Sequence, residues 1–221
     1  MGSEEFFTEQ REQMVRRQIA RRGIKDAAIL RAMRAVPREA FVPAAHSHAA
    51  YKDTPLPIPA SQTISQPYVV ALMLNALDLE AEDRALEVGS GSGYAAALLG
   101  QIVREVHAVE RHKELVAYAR TRLDELGYAN VHVHHSDGTT GWPPAAPYDA
   151  IMVSASGPDV PASLREQLAV GGRLIMPVGG ARDLQTLLLV QRLPDAPDGP
   201  RYRQKDLGGV RFVPLIGEEG W

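Results

Sequence analysis

Between Arg84 and Gly179 the chain alternates two textures, and this constrains its fold more than any other feature. "RALEVGS" reads as a strand, "GYAAALLGQIV" as a helix and "EVHAVE" as a strand. "HKELVAYARTRLDELG" is again helical, "VHVHHSD" and "YDAIMVSAS" are strands, "PASLREQLAVGG" is a helix and "RLIMPVG" a strand. Parallel neighbours need a crossover of a dozen or more residues, usually a helix. The alternation therefore predicts an α/β protein with a mostly parallel, doubly wound sheet covered on both faces. The end differs: "LQTLLLVQRL", a loop "PDAPDGP" and "VRFVPLI" predict two strands with no helix between them, so the last pair is antiparallel.

Upstream, residues 4 to about 35 read as helices, with Met14, Ile19, Ile24, Ile29, Leu30 and Met33 near helical spacing. Residues 51 to 66 cannot be a helix, because Pro55, Pro57 and Pro59 each remove an amide donor and restrict the residue before. A structureless stretch of this length in a compact chain is usually functional or disordered. "PYVVALMLNAL" then predicts a buried helix with Pro67 in its first turn.

Glu87 closes the first strand, and Gly89, Gly91 and Gly93 follow at every second position before a helix begins. Glycines let main chain approach a ligand, and a helix start offers free amides and a positive dipole end. In open parallel sheets ligands bind beyond the strand C-termini. Two cofactor classes fit. "GSGYAA", from Gly91, satisfies the alanine variant of the dinucleotide pattern, with Glu110 about 20 residues on for ribose hydroxyls. Glu87 points the other way, since a carboxylate on that rim repels a pyrophosphate and attracts a sulfonium with an ammonium tail. The residues thus favour S-adenosylmethionine over a nicotinamide dinucleotide. Asp137 ends the third strand, a place suited to recognising an adenine amino group, although Asp137-Gly138 is also an ordinary turn pair.

A net charge of −3 gives no basic footprint, which argues against nucleic acid as a partner. The absence of cysteine excludes disulfides, thiolate metal sites and a cysteine nucleophile. No apolar run approaches the roughly 20 residues of a membrane helix, and the acidic start is unlike a secretory signal. A cytoplasmic, monomeric enzyme is expected. His132 and His134 share a strand face, but two imidazoles without a third ligand make a weak metal motif, and no metal is expected.

Taken together, "AYKDTPLPI", "SQTISQPYVVALM", "LEVGSGSGY", "VERHKELV", "SDGTTGW", "PYDAIMVSAS", "QLAVGGRLIMPVG" and "VRFVPL" resemble the protein-L-isoaspartate (D-aspartate) O-methyltransferase family, over residues 14 to about 215. The resemblance implies a Rossmann-like methyltransferase fold. Residues 1–66 would form a helical annex with the substrate-site loop, and 67–221 the methyltransferase domain, as one unit. It implies that Gln62, Thr63, Glu87, Gly89, Ser90, Gly91, Ser92 and Gly93 hold S-adenosylmethionine with Glu110, Asp137 and Gly138, and later its product S-adenosylhomocysteine. Ile64, Ser65, Val210, Arg211, Phe212 and Val213 would face isoaspartyl proteins and peptides. Ser65 takes the family's active-site position, although its place before Gln66-Pro67 also suits a helix cap.

Relatives usually carry glycines near Pro59 and Ser61, and "TAAAP" where this chain has Ser154 to Pro158. Those departures are expected to alter the substrate groove and leave the cofactor loop untouched. A carboxylate substrate is already ionised at neutral pH, so the reaction needs positioning and dryness rather than a base. Three alternatives stay open on the residues alone: a small-molecule or RNA methyltransferase, a nicotinamide-dependent oxidoreductase and a silent binding module.

Overall fold

The alternation is realised as one seven-stranded sheet. A computed structural model describes residues 3–181 and 183–221. Its strands are β3 (Arg84–Val88), β4 (Glu105–Glu110), β5 (Val131–His135), β6 (Tyr148–Val153), β7 (Leu168–Val178), β8 (Gln185–Ala196) and β9 (Gly199–Val210), in the order β5-β4-β3-β6-β7-β8-β9. The first five are parallel, whereas β7–β8 and β8–β9 pair antiparallel. β3 is an interior strand and its hydrophobic run is covered. The order reverses at β3, which has β4 on one side and β6 on the other. That reversal opens the crevice where α/β sheets bind ligands.

The crossover helices follow their patterns. α4 (Tyr94–Gly100) is nearly all buried, and α5 (Lys113–Glu125) hides Leu115, Val116, Ala119 and Leu123 beneath a charged outer face. α3 (Pro67–Leu77) begins at its proline, as predicted. The annex supplies α1 (Ser3–Met14), a π-helical and 3-10 continuation to Arg22, and α2 (Ala27–Ala35), capped by Asp26 through a bond from the Ile29 amide. Met14, Ile19, Ile24, Ile29 and Met33 enter the same apolar cluster as α3 and α4.

Three expectations need correction. The 51–66 stretch is not structureless, because Leu56–Ile58 (β1) and Gln62–Ile64 (β2) form an antiparallel hairpin. Alternating burial lets both strands set one side against the core, and prolines are tolerated on edge strands. The helix expected over "PASLREQLAVGG" lasts only from Ala162 to Glu166 (α6). Gln167 ends it by accepting from the Trp142 amide and donating to the carbonyls of Thr140 and Ser163, and Leu168 then pairs with Tyr148. Finally, the last strand is Gly199–Val210, and Arg211 to Val213 lie beyond it. "RYRQKDL" alternates too weakly to read as a strand because it forms an exposed sheet edge.

His132 and His134 do share a face, together with His107 from β4. The His107 ring stacks on His134, which stacks in turn on Trp142 at 4.0 Å, and His107 Nδ1 lies 3.0 Å from His134 Nε2. Burial, then the neighbouring histidines, push the His134 imidazole down to about 4, and burial also lowers His107. A histidine held neutral by the fold contributes stability that is complete above its unfolded value near 6.5. That stability is lost as pH falls toward the folded value. Urea midpoints are therefore expected to fall between pH 6.5 and 4, and more gently in His134→Gln; equal slopes for the two proteins would refute this.

Candidate active site

The ends of four parallel strands meet at the crevice. A cavity of about 310 Å³ is lined by Val88 and Gly89 after β3, Val109 and Glu110 at the end of β4, Gly138 after β5 and Ser154 after β6. The hairpin closes it from above with Ser61, Gln62 and Thr63. Such a volume suits a nucleoside-sized ligand. A chamber of about 30 Å³ adjoins it, where Glu87, Ser90, Ser92 and Tyr94 face Ile64 and Ser65. On the other side a groove of about 720 Å³ runs past Ser65, Tyr68 and Val210 to Pro214. Thr63 and Ser154 line all three spaces, and Ser65 lines both the chamber and the groove.

Glu87 sits mid-sheet and is 1% exposed. Its Oε1 accepts from the Ser154 hydroxyl at 3.2 Å. Its Oε2 is buried with no partner among the described residues, and so is the Ser90 hydroxyl beside it. Burial pushes the Glu87 carboxyl up to about 8; the Ser154 bond opposes this and Glu110 adds to it. A buried, unsatisfied acceptor is costly unless a ligand completes it. The partner that fits is a compact cation with N–H donors. Phosphate does not fit an acid in that chamber.

Glu110 is likewise buried, and fixes the loop as well as lining the cavity. Its Oε2 accepts from the Gly91 amide at 3.0 Å and its Oε1 from the His112 amide at 2.8 Å. Gly91 has φ of 53°, and a Cβ there would stand 3.2 Å from Ile58 of the hairpin. Gly93 stands behind the loop against Ala119 of α5. Asp137 spends its carboxylate on the chain. Oδ1 accepts from the Thr139 amide and hydroxyl, and Oδ2 from the Glu218 amide. Burial raises the Asp137 carboxyl, but these bonds outweigh it and hold the group below the usual range. Its neighbour Gly138 lines the cavity. A Cβ on Gly138 would meet Val88 Cγ1 at 2.6 Å. Gly138→Ala is expected to cost about 1–3 kcal/mol of stability, readable by denaturant titration; an unchanged midpoint would count against so tight a floor.

Ser65 does not cap α3. Gln66 is the cap residue and makes no side-chain cap bond. Among the described residues the Ser65 hydroxyl has no hydrogen-bond partner, while its carbonyl accepts from Arg38. Ile64, expected beside the substrate, is 5% exposed and faces the small chamber. Val210 to Val213 all line the groove. Within that strip the Phe212 amide already donates to Gln185 Oε1, and the Val213 carbonyl accepts from the Ser156 amide.

The departures near Ser154 reach further than expected. The Ser154 hydroxyl bonds Glu87, and Ala155 lies within contact distance of a Cβ built on Gly89, so this segment does touch the cofactor loop. In the hairpin turn, Ala60 and Ser61 both have φ of 56°, the left-handed region where glycine is at ease and other residues are strained. Sequence reading missed Ser154 and Arg38. Ser154 carried a faint signal as a hydroxyl directly after a strand end, whereas Arg38 carried none.

A doubly wound sheet whose glycine loop follows a buried, half-satisfied acid defines a methyltransferase fold built for a cationic nucleoside. Comparison with known proteins agrees. A sequence model of the protein-L-isoaspartate(D-aspartate) O-methyltransferase family matches residues 9–220. The chain is 56% identical over 208 residues to protein-L-isoaspartate O-methyltransferase of Rhodopseudomonas palustris, covering 94% of each chain. It is 56% identical over 211 residues to protein-L-isoaspartate O-methyltransferase 2 of Pelobacter propionicus, covering 96% of this chain and 92% of the other. Among solved structures, a protein-L-isoaspartate O-methyltransferase superposes with a TM-score of 0.82 at 28% identity, over 95% of this chain and 67% of that one. A Plasmodium falciparum protein described as such an enzyme, in complex with S-adenosyl-L-homocysteine, gives 0.77 at 27% identity, over 95% and 98% of the two chains.

The chain belongs to the protein-L-isoaspartate(D-aspartate) O-methyltransferase family. It is an S-adenosylmethionine-dependent enzyme that methylates isoaspartyl residues of proteins. No helix among the described residues is long and apolar enough to cross a membrane.

Proposed function

We propose that residues 1–66 and 67–221 act as one monomeric, cytoplasmic catalytic unit that needs no nucleic acid, with Glu87 as its cofactor anchor and Ser65 as its catalytic residue. Bound S-adenosylmethionine supplies an electrophilic methyl group. Glu87 and Ser90 take the ammonium end of the cofactor, because Glu87 Oε2 and the Ser90 hydroxyl lack any other partner among the described residues. Gly89 and Gly91 admit main chain close to it, with Ser92 and Gly93 completing the turn. Glu110 takes the ribose hydroxyls on the lone pairs its two amide bonds leave. Gly138 gives the adenine a flat floor, with Asp137 holding that turn in shape, and Gln62 and Thr63 close the cavity from above.

The substrate carboxylate is already a nucleophile, so the chain has to orient and dry it. The Ser65 hydroxyl, free of other bonds, donates to it as a neutral group. A cationic donor would stabilise the anion and slow its attack. Ile64 and the hairpin keep the chamber dry. The substrate main chain lies along Val210 to Val213, using the groups of that strip not already bonded within the chain. Main-chain recognition tolerates many sequences, as a repair enzyme requires.

The observation that carries this reading is the orphaned Glu87 oxygen one chamber away from a serine with a free hydroxyl. The test incubates the chain with labelled S-adenosylmethionine and an isoaspartyl peptide or its aspartyl twin. Label in the isoaspartyl peptide alone is expected. Equal labelling of both peptides, or label in neither, would reject it.

A further inference from the structure

Arg38 is a fully buried guanidinium in the annex. It follows Pro37 in a short 3-10 turn and is 0% exposed. Among the described residues no carboxylate forms an ion pair with it; the arginine ion pairs involve residues 22, 34, 84, 165, 173 and 192. One of its terminal nitrogens is buried with no hydrogen-bond partner among the described residues. Burying an unpaired guanidinium is strongly unfavourable, so such a group persists where something else depends on it.

Its bonds show what depends on it. Nε donates to the Ala50 carbonyl at 2.8 Å and one Nη to the Ser65 carbonyl at 2.8 Å. These two carbonyls bracket the segment that carries the β1–β2 hairpin over the cofactor cavity. The guanidinium also lies 4.8 Å over the ring of Tyr94, the first residue of α4, directly after the glycine loop. A single planar fork thus ties both ends of the hairpin segment to the start of the loop helix. Ser65 needs such a tie. It lies after β2 and before α3, and the helix cap beside it has no side-chain bond.

We propose that Arg38 is a positioning residue for methyl transfer, holding the Ser65 carbonyl so that the Ser65 hydroxyl stays aimed at the junction of the chamber and the groove. This rests on the reading of Ser65 given above. Arginine is required because its rigid fork meets two carbonyls at once, which a lysine ammonium on a flexible stem does not reproduce.

The test is a double-mutant cycle on the full chain, with Arg38→Lys and Ser65→Ala alone and together. Arg38→Lys is expected to lower kcat at least tenfold, with the dissociation constant for S-adenosylhomocysteine unchanged within about twofold. In the Ser65→Ala background the same change is expected to move the residual kcat less than twofold. A residue that merely stabilised the fold would lower kcat by the same factor in both backgrounds, and that result overturns the role of Arg38. Wild-type kcat in Ser65→Ala alone would remove the reading of Ser65 and this proposal with it. Should Arg38→Lys not fold, Tyr94→Leu takes its place in the cycle by removing the ring on which the guanidinium rests. A loss confined to the Ser65 background is again expected, and equal losses overturn the proposal.

Discussion

Glu87→Gln lowers the affinity for S-adenosylhomocysteine, which carries the same ammonium tail as the methyl donor, by about 10²-fold to about 4,000-fold. Removing one partner of a buried charge pair costs about 3–5 kcal/mol, and each 1.4 kcal/mol is about a factor of ten. The pair forms only with ligand, since in the free protein burial pushes the carboxyl up to about 8. Below that pH Glu87 is protonated and must release its proton to receive the ammonium. Wild-type affinity should therefore rise about tenfold per pH unit from 6 toward 8 and then level off. Calorimetry at pH 7 in buffers of different ionisation enthalpy should show about one proton released per ligand, and none for Glu87→Gln. Affinity that is flat with pH in the wild type would overturn the assignment. In the free protein the sign is opposite. A carboxyl raised in the folded state contributes stability below its unfolded value near 4.5, and this is lost as pH rises toward 8. Added cofactor should restore it.

Ser65→Ala is expected to cut kcat about 10²-fold, the size of loss that a small misplacement of the reacting oxygen produces. Cofactor affinity should stay within about twofold, because Glu87, Glu110 and the glycine loop keep their bonds. The contrast with Glu87→Gln is the diagnostic. One variant loses binding and keeps its chemistry at saturating cofactor, and the other keeps binding and loses turnover. A Ser65→Ala enzyme with ordinary kcat would leave the hydroxyl without a role.

Much of this molecule was legible from one end of the chain to the other. The strand and helix textures fixed the parallel sheet, because hydrophobic periodicity is a local property of a segment. Pro67 marked the start of α3, whereas Gly91, read as room for a ligand, also stands close to Ile58 of the hairpin. Where reading failed, a competing long-range term prevailed. Gln167 truncated α6 with bonds to Trp142 and Thr140, and no local signal records those partners. The hairpin of residues 56–64 formed despite Pro57 and Pro59, because in a two-stranded sheet both strands are edges.

The sequence by itself determined the class of fold, the position of the glycine loop and the sign of the charge before it. Only tertiary structure decided that one oxygen of Glu87 lacks a partner among the described residues, that Ser154 holds the other, and that Arg38 reaches Ser65 across 27 positions. The physical reason is that periodicity is set by neighbours along the chain, whereas satisfaction of a buried polar atom depends on whatever the crossovers bring beside it.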